Sequence, residues 1–244
     1  MKCGFGRYNQ AQLVWTKRLM NSITEYRNHD HMQDIYQLKT SLLLAILPHI
    51  SQDGWSESAI KKACTDLNVP KAQADLLFPS GPIEMILWFN DYADQNMQKA
   101  LALENGQLNG LKAKIFRAIQ IRLQQNIAYR DAIKKAVGYL LLPWNQKFLF
   151  TGLYKTVDSI WLGVNHFPTD FSFYTKRLTL AGIYSSTLLY WLRDTSENYQ
   201  ETWNFLTRRL EDLGKIPVLR QKLMAARHYI PSPIRLWQKL KQHG

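Results

Sequence analysis

Between Leu178 and Leu192 the chain passes through Thr179, Leu180, Ile183, Tyr184, Ser185, Ser186, Thr187, Leu188, Tyr190 and Trp191 without one charged side chain. A helix with no charged face has no place on an open surface, so it must be buried by neighbours or line a cavity for something apolar. Leu180, Ile183, Tyr184, Thr187, Leu188 and Trp191 are the candidate lining positions, although core packing accounts for such residues equally well. The run is entered through Thr169–Arg177, where Phe171, Phe173 and Tyr174 stand beside Asp170, Lys176 and Arg177. Aromatics among charges suit an interface hot spot. A loop-to-helix corner packed on the core is the plainer reading of the same block.

The remainder of the chain limits what this helix can belong to. With 244 residues there is room for one large domain or two small ones. A hydrophobic content of 46% fills a core, and 20% charged residues argue against wholesale disorder. The net charge of +12 points to an anionic partner, either nucleic acid or an acidic membrane surface. The excess lies at the ends. From Leu213 to Gly244 there is no acid, against Lys215, Arg220, Lys222, Arg227, Arg235, Lys239 and Lys241. Cys3 and Cys64 cannot form a disulfide framework, which suits a reducing compartment. No run reaches the roughly 20 apolar residues of a membrane span.

Helical periodicity dominates and alternating strand patterns are absent, so the expected fold class is all-α. Met32–Leu47 reads as a first helix stopped by Pro48; Ser56 caps a second that runs to Asn68; Pro70 opens a short third. Pro82 starts a long helix to about Glu104, followed by helices near Leu111–Asn126, Tyr129–Leu142, Trp144–Asn165, Phe173–Arg193 and Tyr199–Leu213. These define an extension over 1–31, a three-helix, helix-turn-helix-like head over 32–81, a larger bundle over 82–213 and a basic C-terminus over 214–244.

No catalytic constellation accompanies this framework. Glycine clusters for phosphate binding are missing, and no Glu is followed three residues later by His as a di-iron bundle requires. Glu25, His29, His31 and Asp34 resemble a zinc set but read better as solvated residues around a helix start. Glu84, Asp91 and Asp94 share a helix and read as a solvated face rather than an acid–base pair. His166, before Phe167 and Pro168, reads as a loop hydrogen-bonder. No catalytic residue, metal or cofactor is expected, and the chain reads as one that binds rather than reacts.

Three motifs carry a resemblance. Asp53-Gly54-Trp55 precedes the helix-turn-helix-like unit and Leu77-Phe78-Pro79-Ser80-Gly81-Pro82 closes it. The third is the Thr169–Arg177 block with Ser185-Ser186-Thr187-Leu188, Asp194-Thr195-Ser196 and Thr202-Trp203-x-Phe205-Leu206 downstream. Over roughly Leu38–Leu213 the chain resembles the ninth coenzyme Q protein family, lipid-binding accessory proteins of ubiquinone biosynthesis. The resemblance implies a TetR-like fold without enzymatic activity, and an apolar cavity for an isoprenoid quinone intermediate or a phospholipid. It also implies partnership with the di-iron demethoxyubiquinone hydroxylase through Asp170, Phe171, Phe173, Tyr174 and Arg177. Phe173 stands where the family usually has Trp, which keeps aromatic area but removes an indole donor.

A C-terminal amphipathic membrane helix is likewise implied, and the residues agree with it. Ile230, Ile234, Trp237 and Leu240 recur at helical spacing among Arg235, Lys239 and Lys241, the pattern of a helix lying in an anionic membrane interface. Folding back on the bundle is the alternative, and Pro231 and Pro233 limit its length. The N-terminus has no secretory core and few of the Ser and Arg of a transit peptide. The expected location is therefore a bacterial cytoplasm, peripheral on the inner membrane, with the matrix side of the mitochondrial inner membrane as the alternative. A homodimer is an open arrangement.

The chief functional reading is a non-enzymatic carrier presenting a quinone precursor to the hydroxylase. The other is a TetR-like DNA-binding regulator. Its recognition helix would lie near Lys71–Phe78, where Asp75 opposes phosphate and only Lys71 and Gln73 favour it, so nucleic acid is not the expected partner.

Overall fold

The computed structural model describes residues 33–213, apart from 105, 107 and 165–171. Among the described residues every regular element is helical. They are α1 (33–53), α2 (Glu57–Asp66), α3 (Lys71–Leu77), α4 (Pro82–Glu104), α5 (Leu111–Gln124), α6 (Arg130–Leu140), α7 (Gln146–Gly163), α8 (Ser172–Trp191) and α9 (Gln200–Leu213), with short 3-10 turns before α6, α7 and α9. The fold is all-α, as the periodicity implied. The described residues divide into two compact units, one ending at Phe89 and taking in Asp131–Leu140, the other formed by Asn90–Arg130 and the chain from Leu141 onward.

In the first unit α1 does not stop at Pro48 but continues to residue 53. A proline inside a helix costs about 3 kcal/mol. Pro48 itself is exposed, while Leu47 and Ile50 beside it are buried, and each such side chain recovers about 1.5–3 kcal/mol. Burial outweighs the lost hydrogen bond. Lys135 on α6 supports this last turn by donating to the carbonyls of Ile50 and Ser51. Gly54 then ends α1 at φ +68°, its N–H donating to Ile50 O at 2.9 Å, a left-handed cap that favours glycine.

Trp55, next in the Asp-Gly-Trp motif, is buried and donates Nε1–H to Ala132 O at 2.9 Å. Ser56 caps α2 by accepting from Ala59 N, as its position in the sequence implied. The second motif is also a corner: Phe78 is buried, Gly81 takes φ +59°, and Glu84 accepts from Ser80 N at the start of α4. Both motifs are turn chemistry.

The second unit packs α8 against α7, α9 and α5, and α5 against α7 and α9. Its centre combines Ile119, Leu123, Ile160, Leu180, Trp191 and Leu206, all fully or almost fully buried. Gly163 at the end of α7 lets the chain approach Leu101, where an added Cβ would meet Cδ2 at 3.1 Å.

Candidate functional site

Helix α8 is the structural centre of the second unit. Leu180, Ile183, Tyr184, Thr187 and Trp191 are buried on one face, and Leu188 is half-buried at its margin. The opposite face is open, with Leu178 at 74% and Leu189 at 51% exposure, so a charge-free helix does reach solvent here. Its hydroxyls make this tolerable. Thr179 donates to Thr175 O, Ser185 to Ala181 O and Ser186 to Gly182 O, satisfying themselves on the helix's own backbone.

Two polar atoms on the buried face lack such an outlet. Thr187 Oγ1 and Trp191 Nε1, one helical turn apart, are both shut from solvent and have no hydrogen-bond partner. Each unpaired buried group costs about 1–3 kcal/mol. On α7, Trp161 is buried, Phe148 half-buried and Tyr154 57% exposed, so of these three aromatics Tyr154 faces outward rather than toward the core.

A buried ion pair lies in the same unit. Arg122 Nε donates to Asp94 Oδ1 at 2.7 Å, and both side chains are about 5% exposed or less. Thr156 donates to Asp94 Oδ2 at 2.9 Å, Asn90 Nδ2 donates to the same oxygen, and Arg122 Nη2 donates to Asn90 Oδ1 at 3.0 Å. Burial pushes the Asp94 carboxyl above its ordinary value, with Arg122 and Thr156 pulling against it. The buried phenol of Tyr184 is likewise pushed up by desolvation. The solvated face expected of Glu84, Asp91 and Asp94 is thus corrected for Asp94. Its place on the inward stripe of α4 meets a buried arginine from α5, whereas Glu84 pairs with Lys39 and Asp91 with Lys155 nearer the surface. The signal was Arg122 within an otherwise apolar stripe of α5; a lone arginine there requires a carboxylate.

The downstream motif residues build the α8–α9 corner. Asp194 accepts from Thr202 N at 2.8 Å, from Thr202 Oγ1 at 2.5 Å and from Ser196 N at 2.8 Å. Burial alone would raise its carboxyl, but these donors hold it down at about 2. Arg130 Nη2 donates to Trp191 O and Asp194 O at 2.7 and 2.6 Å, with the guanidinium against the Trp191 and Tyr199 rings. Asn198 and Tyr199 both take positive φ in this corner, 51° and 58°, a costly conformation for non-glycine residues. Trp203 Nε1 donating to Asn198 O helps hold it.

Of the expected partner-facing block, Asp170 and Phe171 lie outside the described residues, as do the side chains of Phe173 and Tyr174. Arg177 is paired with Asp158 of α7 and stacks 5.6 Å from the Tyr154 ring centroid, so its guanidinium is fixed in place. The membrane-facing residues Ile230, Ile234, Arg235, Trp237, Lys239, Leu240 and Lys241 lie outside the described residues, as do Glu25, His29, His31 and His166. In the head, Lys71 is the one cation of α3, and it is tied to Glu57 at 2.8 Å and to Asp75. Two carboxylates on that lysine leave α3 poorly suited to a phosphate backbone.

A family model described as COQ9 matches residues 148–217, which take in most of α7 and all of α8 and α9. The ubiquinone biosynthesis protein COQ9 of Xenopus tropicalis is 32% identical over 183 residues, covering 72% of this chain. The chain belongs to the COQ9 family. The human mitochondrial COQ9 is 31% identical over 183 residues, and the Schizosaccharomyces pombe protein 29% over 192, covering 76% of this chain and 74% of its own. The chain spans 57% of the length of the Xenopus tropicalis and human relatives. A TetR transcriptional regulator from Nitrosomonas europaea superposes with a TM-score of 0.59 at 22% identity, over 72% of this chain and 97% of the regulator. That likeness establishes a TetR-like fold for this COQ9-family chain and nothing about DNA. The expected bacterial inner-membrane location is corrected by these relatives, which are named as mitochondrial proteins of eukaryotes. Ser and Arg counts near the start do not by themselves separate the two locations.

Proposed function

We propose that this COQ9-family chain serves ubiquinone biosynthesis in mitochondria as a non-enzymatic lipid-binding protein. It holds an isoprenoid quinone intermediate and presents it to the di-iron demethoxyubiquinone hydroxylase, which carries out the chemistry. The observation that carries the lipid reading is the inner face of α8. Leu180, Ile183 and the ring of Tyr184 offer the apolar surface an isoprenoid tail needs, at about 0.8 kcal/mol per buried CH₂. Thr187 Oγ1 and Trp191 Nε1 offer two donors without partners, and the oxygens of a quinone ring are acceptors without donors.

The names of the relatives support the pathway. The hydroxylase contact is assigned to Asp170, Phe171, Phe173, Tyr174 and Arg177, with Asp158 and Tyr154 holding Arg177 in a single orientation. Attachment to an anionic membrane is assigned to the segment with Ile230, Ile234, Trp237 and Leu240 among Arg235, Lys239 and Lys241.

Gentle purification of the full chain, organic extraction and mass spectrometry test the reading. A stoichiometric isoprenoid quinone or precursor is expected. Phospholipid alone would keep lipid binding and remove the quinone. Clean protein that also takes up no added quinone would overturn the proposal.

A further inference from the structure

The turn between α6 and α7 has a composition that a water-facing corner does not need. Leu141, Leu142 and Trp144 are 54%, 36% and 71% exposed, and Pro143 between them is exposed as well. These four form the tip of a 3-10 turn over Pro143–Asn145, closed by Asn145 N donating to Leu142 O at 2.8 Å. Asn145 is buried at the root, so the tip stands on a fixed base. Exposed Leu, Leu, Pro and Trp in sequence make a contiguous apolar projection, which soluble surfaces seldom carry without an occupant.

The charge around the tip names the occupant. From Leu141 to Val157 the chain has no acid; its cations there are Lys147 and Lys155, the latter paired with Asp91. Lys147 is exposed one turn beyond Trp144, with its ammonium 4.8 Å from the Phe148 ring centroid. A tryptophan at the tip, aliphatic residues beside it and a lysine just behind match the boundary of a bilayer, where indole settles among headgroups and ammonium meets anionic phosphate. A protein partner would have to match both the projection and the lysine behind it.

We infer that the Leu141–Trp144 corner is a membrane-inserting wedge that docks the second unit on an anionic lipid surface. It adds a contact to the membrane reading of the C-terminal segment and does not depend on a ligand on α8. The wedge also aims the unit, since one fixed corner in the bilayer restricts how the bundle can turn over it.

The test uses the full chain with phosphatidylcholine vesicles, with and without phosphatidylglycerol, in a flotation assay. Leu142→Glu and Trp144→Glu should each weaken binding to both vesicle types by about tenfold. Lys147→Gln should weaken only the phosphatidylglycerol vesicles. Circular dichroism checks the fold of each variant. If a variant does not fold, Trp144→Cys in a Cys3→Ser chain, carrying an environment-sensitive fluorophore, replaces it; Cys64 is buried and does not compete. Blue-shifted emission on adding vesicles is the expected result. Wild-type binding by the folded variants, or no shift from the label, would overturn the wedge. So would variants that lose self-association while keeping vesicle binding, because the tip would then join two copies of the chain. A clean lipid extract from the purified protein would remove the carrier reading and leave this result intact.

Discussion

Replacing Asp194 by Asn removes a charge from the α8–α9 corner while keeping its shape, and the structure gives the cost. The carboxylate accepts three hydrogen bonds, from Thr202 N, Thr202 Oγ1 and Ser196 N, and the carboxyl is held at about 2 against an ordinary 3.8. At 1.36 kcal/mol for each tenfold difference in proton affinity, that interval corresponds to about 2 kcal/mol. Because the folded value is depressed, the contribution is complete above pH 3.8 and is lost as pH falls through about 2. Urea titrations of wild type and Asp194→Asn at matched pH values isolate this contribution, since other titrating groups affect both chains alike. The wild type should exceed the variant by about 2 kcal/mol at pH 7 and by only a few tenths near pH 2. A gap independent of pH would refute the reasoning.

Arg122→Met should cost about 3–5 kcal/mol in urea unfolding by leaving Asp94 buried without a cation, and adding Asp94→Leu should recover most of it. Gly138→Ala, on α6 with open space around its Cβ, should raise stability by about 0.5–1 kcal/mol. The same change at Gly163 should show no such gain in thermal melts, because its Cβ meets Leu101. Thr187→Val should stabilise the ligand-free protein by about 1 kcal/mol and lower quinone retention. A valine chain less stable than wild type would mean that the hydroxyl already has a partner.

Much of the fold was legible because local chemistry and tertiary packing agree. Ser56 caps α2, and Pro82 opens α4 at its first residue. Pro48 misled because the penalty for a proline is local, whereas the burial of Leu47 and Ile50 that overrides it is not. The charge-free run does form a helix with one buried face, but the expectation that no open surface would hold it failed. That its other face could stay in water depends on Thr179, Ser185 and Ser186 folding onto their own backbone, a rotamer choice no spacing reveals. Asp94 was hidden for a related reason. Period places it near Asp91, but only Arg122 on another helix decides which acid is buried.

The claim that matters most is that α8 seats a ligand rather than filling a core, and Trp191 reports on it directly. The measurement is titration of purified protein with a short-chain ubiquinone analogue, following tryptophan emission in wild type and in Trp191→Phe. Saturable quenching at one analogue per chain, much reduced in the phenylalanine variant, is the predicted result. Quenching that never saturates, or that is unchanged in the variant, would contradict the account.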